Sequence, residues 1–165
     1  MPVPFKQVVV WNKDRMGMGT FYRSKHEFIF IFKNGNGKHT NNFELGQHGR
    51  TRTNVWDYPG VLTFMHRPED GEGNLSMHPT VKPVEMIVDA CLDCSNRGEI
   101  ILDLFGGSGS TLIACEKTGR SARLMEISPT FCDVIVKRWQ EFTGREAVNE
   151  ATGKTFNQIM NERNN

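Results

Sequence analysis

Residues 99–111 read Glu-Ile-Ile-Leu-Asp-Leu-Phe-Gly-Gly-Ser-Gly-Ser-Thr. The apolar, β-branched run from Glu99 to Phe105 predicts a strand, Gly106-Gly-Ser-Gly109 a tight turn, and the stretch from Ser110 to Thr118, closed by Gly119, a helix. Upstream, Pro83 suits a first helical turn. Val84, Ile87, Val88, Cys91 and Leu92 then recur at helical spacing until Arg97-Gly98 stops them. Downstream, Ala122 to Ile127 reads as a second strand. Pro129 opens an amphipathic helix with Phe131, Ile135, Trp139 and Phe142 on its inward face and Gly144 at its end. Helix, strand, helix, strand, helix implies parallel strands joined by crossover helices, the doubly wound α/β class.

The glycine turn also carries chemistry. Asp103 stands at the carboxyl end of its strand, glycines let a backbone approach a ligand closely, and the helix that follows offers unpaired N–H groups. Glu126 ends the next strand, nineteen residues after Gly107, where an acid accepts hydrogen bonds from ribose hydroxyls. Together these residues describe a nucleoside pocket. A phosphate-cradling loop would need Gly-Lys-Ser/Thr, but Gly109 is followed by Ser110-Thr111. A dinucleotide fingerprint would need a third glycine or alanine where Leu112 stands, and Asp103 would repel a pyrophosphate. An acid at the strand end suits a ligand with a cationic part. S-adenosylmethionine carries an ammonium, a sulfonium and an adenosine, and no phosphate.

At 165 residues the chain has the size of one domain, and 38% apolar with 24% charged residues excludes a disordered tail, a collagen-like repeat or a coiled coil. The longest apolar run, Phe28 to Phe32, is five residues, against the roughly 18 or more that span a bilayer. The amino terminus lacks the pattern of a secretory signal, so a cytoplasmic location is expected, with reduced thiols at Cys91, Cys94, Cys115 and Cys132. The net charge of +1 hides an asymmetry: residues 1–60 carry nine Lys/Arg against four acids, interleaved with Trp11, Phe21, Tyr22, Phe43, Trp56 and Tyr58. Such a half suits a polyanion or an ordinary solvated surface. Val8 to Trp11 and His26 to Lys33 read as strands, the second buried on both faces because its apolar residues do not alternate. Asn34 to Thr53 is polar and aperiodic, residues 67–77 form a second break, and the last dozen residues read as a frayed tail.

His78-Pro-Thr-Val-Lys-Pro83, Ile101-Leu-Asp-Leu-Phe-Gly-Gly-Ser-Gly-Ser-Thr111, Gly119-Arg120 and Glu126-Ile-Ser-Pro-Thr-Phe131 resemble the motifs of the DNA amino-methyltransferases, in the β-type order with the catalytic region first. Val10-Trp-Asn-Lys13, His26-Glu-Phe-Ile-Phe-Ile-Phe32 and Asn54-Val-Trp-Asp57 are similar to later parts of that family's catalytic and target-recognition regions. The resemblance implies a Rossmann-like methyltransferase fold, S-adenosylmethionine as cofactor and methylation of adenine N6 or cytosine N4 in double-stranded DNA. It implies that Asp103, Phe105, Gly107 and Gly109 hold the methionine part, that Thr80 and Lys82 bind its carboxylate, that His78 belongs to the cofactor site through the same motif, and that Glu126 takes the ribose while Ile127 or Phe131 lines the adenine slot. Arg50, Arg52 and Lys38 would reach DNA. The implied division is late catalytic-region strands over 1–33, a DNA-contact region over 34–66, a cofactor-binding α/β region over 67–150 and a tail over 151–165.

The family's catalytic signature, Asp/Asn/Ser-Pro-Pro followed by an aromatic, is absent, since no Pro-Pro pair exists in the sequence. Ser128-Pro-Thr-Phe131, the nearest string, reads as a helix start. No residue is therefore assigned a catalytic role, and the central sheet is expected to be incomplete, to be filled by an upstream segment or a second polypeptide. A catalytically silent DNA- or cofactor-binding module is the alternative, while a dinucleotide oxidoreductase is disfavoured by Leu112 and the lack of a substrate domain. No metal is expected: Cys91-Leu-Asp-Cys94 lies on an amphipathic helix without a second pair and reads as core thiols.

Overall fold

A computed structural model describes residues 3–47, 49, 51–60 and 81–164. The second half forms in the expected element order, helix, strand, helix, strand, helix. Strand β4 (Ile100–Asp103) pairs in parallel with β5 (Ser121–Leu124), Asp103 opposite Leu124, and helix α2 (Ser110–Thr118) makes the crossover. Helix α1 (Val84–Cys94) packs on α2, and α3 (Pro129–Thr143) follows β5. The core lies between these helices, on Met86, Cys91, Ile113, Ala114, Cys115 and Ile135.

The first half forms a second sheet, ordered β2-β1-β3, from β1 (Phe5–Asn12), β2 (His26–Phe32) and β3 (Val55–Asp57). β1 is antiparallel to β2 and parallel to β3. Side chains alternate along β1, which turns Val9 and Trp11 inward, at 3% and 2% exposure. Trp11 is anchored by its indole N–H, which donates to the Tyr58 carbonyl at 2.8 Å. Among the described residues no helix is long and apolar enough to cross a membrane.

Five expectations need correction. Phe142, expected on the inward face of α3, is exposed, and of that expected face only Ile135 is buried. β2 is not buried on both faces: it lies at an edge of its sheet among the described residues, and Phe28, Phe30 and Phe32 are all exposed on one side. The helix before β4 ends at Cys94, with extended Ser95 as its C-cap, so that Gly98 belongs to the following turn; Met86 is buried and Leu92 exposed. Cys91 is buried as a core thiol, but Cys94 is exposed. The tail is a helix, α4 (Phe156–Asn164), opened by a reciprocal cap in which the Gln158 N–H reaches the Thr155 hydroxyl at 3.3 Å and the Thr155 N–H reaches the Gln158 side chain at 2.9 Å. Phe156 is buried, and Arg163 pairs with Asp133 of α3 at 3.1 Å.

The turn from β4 into α2 has one backbone that few residues accept. Gly109 is the N-cap of α2 at φ 80°, and a Cβ there would lie 3.2 Å from two side-chain carbons of Ile135. Gly109→Ala should therefore lower stability by about 1–2 kcal/mol from the left-handed backbone alone, with the crowding of Ile135 adding to it, as read by denaturant unfolding.

Candidate functional site

Parallel pairing brings the carboxyl ends of β4 and β5 side by side, and a cleft of ≈ 260 Å³ opens there. Lys82, Asp103, Phe105, Gly107, Ser110 and Glu126 are on its walls. Asp103 is fixed by two donors, the Phe105 N–H at 2.9 Å on one oxygen and the Thr111 hydroxyl at 2.6 Å on the other. A carboxylate held this way keeps acceptor capacity on both oxygens. Glu126 is fixed likewise, one oxygen accepting from the Gly107 N–H at 2.8 Å and the other from the Ser128 N–H at 2.9 Å. Glu126 lies two residues beyond the end of β5, not at the strand's last position as expected, and its carboxylate links the segment after β5 to the glycine turn that follows β4. Ser128 is the N-cap of α3 and Pro129 its first residue, as the sequence suggests, though the serine hydroxyl makes no cap bond.

Five residues of the expected set therefore meet in one place: Lys82, Asp103, Phe105, Gly107 and Glu126. Gly109 shapes the turn instead of lining the cleft. Ile127 is almost wholly exposed and Phe131 half-buried, both off its walls. His78, Thr80 and Arg50 lie outside the described residues. Sequence reading missed the residues that brace the turn. Ser110 donates to the Lys82 carbonyl at 2.9 Å, tying α2 to the segment before α1. Arg138 of α3 reaches the Ser108 carbonyl at 3.2 Å and the Ser110 hydroxyl at 3.3 Å. A signal for Arg138 was present, for it lies three residues past Ile135 on the inward stripe of α3, where a cation needs a partner.

A second group of side chains fastens the long polar segment to α1. The Asn42 amide donates to the Leu92 and Ser95 carbonyls at 3.0 and 2.8 Å. Arg52 pairs with Asp93 at 3.0 Å and with Asp89 at 3.7 Å while its guanidinium stacks 4.4 Å from the Trp56 ring centroid. Tyr58 donates its hydroxyl to Asp89. The structure thus places Arg52 in a half-buried ion-paired seam, whereas Lys38 is exposed on the loop. Burial, then the hydrogen bond and charge of Asp89, push the Tyr58 phenol up to about 12 against the pull of Arg52.

With the cleft and its two acids in place, comparison with known proteins gives the class. The sequence matches the DNA methylase family of the N6/N4 type over residues 3–137, and the chain belongs to that family. It is 25% identical over 169 residues to the type II methyltransferase M.HpaI of Haemophilus parainfluenzae, covering 94% of this chain and 52% of that one. It is 33% identical over 91 residues to the DNA adenine methyltransferase YhdJ of Escherichia coli (strain K12), covering 55% of this chain and 29% of that one. The chain thus spans about half or less of the length of these relatives. Its fold is similar to the M1.HpyAVI–SAM complex at a TM-score of 0.61 and 20% identity, over 81% of this chain and 61% of that one. It is also similar to PvuII DNA methyltransferase (cytosine-N4-specific), at a TM-score of 0.65 and 12% identity over 81% and 50%. These likenesses confirm the Rossmann-like α/β fold.

The seam gives an alkaline prediction. The folded-state value of Tyr58 lies above the unfolded one, so its contribution to stability is complete below about pH 10 and is lost as pH rises from there through about 12. In a Tyr22→Phe background, phenolate absorbance should rise with a midpoint near 12, and Tyr58→Phe should remove this part of the alkaline stability loss.

Proposed function

We propose that the cleft holds S-adenosylmethionine and that the chain is the cofactor-binding part of a DNA methyltransferase acting on adenine N6 or cytosine N4. The observation that carries this is the pair of fixed acids at adjacent strand ends, Asp103 and Glu126, flanking a glycine turn whose Gly107 N–H is held by Glu126. The residues present fit that cofactor. Asp103 offers a negative charge to an ammonium or sulfonium, Glu126 offers acceptors to ribose hydroxyls, and Lys82 supplies the cation that a carboxylate needs. When bound, the cofactor supplies an electrophilic methyl group for in-line transfer to an amino nitrogen. The role of this chain's residues is to hold and orient, so that the methyl faces the target base.

The oxygens that accept from the target amine belong, in this reading, to an Asp/Asn/Ser-Pro-Pro-aromatic segment outside this sequence, on the same polypeptide or another. The exposure of Ile100 and Leu102 on β4 supports this, because parallel strands are ordinarily covered on both faces. Double-stranded DNA is the proposed substrate, with the basic first half, Lys38 included, facing it and Arg52 holding that segment in place.

Calorimetric titration with S-adenosylmethionine tests the cofactor site. Saturable binding is expected, weakened about tenfold to a hundredfold by Asp103→Asn, which preserves shape and hydrogen bonding to Thr111 but removes the charge. A well-folded chain that binds nothing overturns the reading. Binding by the chain, without methyl transfer to DNA after a segment bearing the Pro-Pro signature is supplied, would favour the silent module.

A further inference from the structure

Glu27 is the second residue of β2, and its carboxylate bridges two ammonium groups, Lys13 at 2.5 Å and Lys82 at 2.9 Å. Both lysines lie over the Trp11 indole, with Nζ 4.8 and 5.4 Å from its centroid. That indole is 2% exposed and pinned through its N–H to the Tyr58 carbonyl, so the cluster sits on a fixed apolar floor. Among the described residues Lys82 is the only cation on the walls of the cleft. Its ammonium, however, is engaged by a carboxylate of the protein itself. The Lys82 side chain remains 42% exposed, so a ligand can reach it.

Three charges of this kind sum to +1, enough to neutralise one incoming carboxylate. An ammonium has three donors on one point charge, and a carboxylate already resting on it weakens its attraction for a second. Burial alone would push the Glu27 carboxyl up, but the hydrogen bonds and charges of Lys13 and Lys82 outweigh it and hold the group below the usual carboxylate range, so it is ionised at neutral pH.

We propose that Glu27 is an internal competitor for the Lys82 ammonium, and that its sharing between Lys13 and Lys82 sets how tightly the cleft grips the carboxylate end of an amino-acid-bearing nucleoside. This rests on the cofactor reading above. Glu27 is a specificity-setting residue that acts through Lys82, and Lys13 tunes it by drawing the same carboxylate the other way.

Two ligands separate this from a structural role: S-adenosylhomocysteine, which carries the amino-acid carboxylate, and 5′-deoxy-5′-methylthioadenosine, which lacks it. Glu27→Gln should bind the first about threefold to tenfold more tightly than the unaltered chain and the second within about twofold of it. Lys13→Met, which leaves Glu27 to Lys82 alone, should weaken the first and spare the second, and it provides the test should Glu27→Gln not fold. In the Glu27→Gln/Lys82→Met double variant the gain should vanish. Equal changes for both ligands, or weaker S-adenosylhomocysteine binding in Glu27→Gln with an unchanged thermal midpoint, would overturn the proposal while leaving the cofactor site standing. Failure of the unaltered chain to bind either ligand would overturn both.

Discussion

Parallel pairing of β4 with β5 is the constraint on which the site depends. An antiparallel neighbour would put the ends of the two strands at opposite edges of the sheet; the parallel one puts Asp103 and Glu126 at the same edge. Each acid then does local work before it meets any ligand. Asp103 closes the bend into α2 through Phe105 and Thr111, and Glu126 ties that bend to the start of α3 through Gly107 and Ser128. The site is preorganised because the groups that would contact a ligand also shape the backbone around it.

Helix α1 joins this unit to the first sheet. It packs on α2, and its Asp89 and Asp93 receive Tyr58 and Arg52, while the carbonyl of Leu92 receives Asn42. Lys82, just ahead of the helix, reaches back to Glu27 on β2. A charge seam of this length holds the aperiodic loop against a helix without a large apolar interface. It also engages Arg52, whose type and setting suggest nucleic acid, with carboxylates of the protein itself.

Much of the second half was legible because each signal there is local. The strand-turn-helix of residues 99–118, the closing glycines Gly119 and Gly144, and the acids at two strand ends depend on neighbours a few positions away. What could not be read was set by long-range partners. Glu27 is 55 residues from Lys82, and neither sequence context announces the other. The burial of β2 was misjudged because composition states how apolar a strand is, not whether anything covers it. The last helix was misread for a different reason: its Thr155-Phe-Asn-Gln158 cap is a local signal, overshadowed by the polar run that ends the chain.

The aromatic ladder along β2 bears on how the protein behaves in solution. Phe28, Phe30 and Phe32 stand more than half exposed on one face, with Phe5 against the last two. Contiguous apolar surface on an edge strand is a template for association with other chains. In concentrated solution such a face makes self-association depend on the amount of protein present, so that dispersal is a matter of concentration as well as of folding free energy.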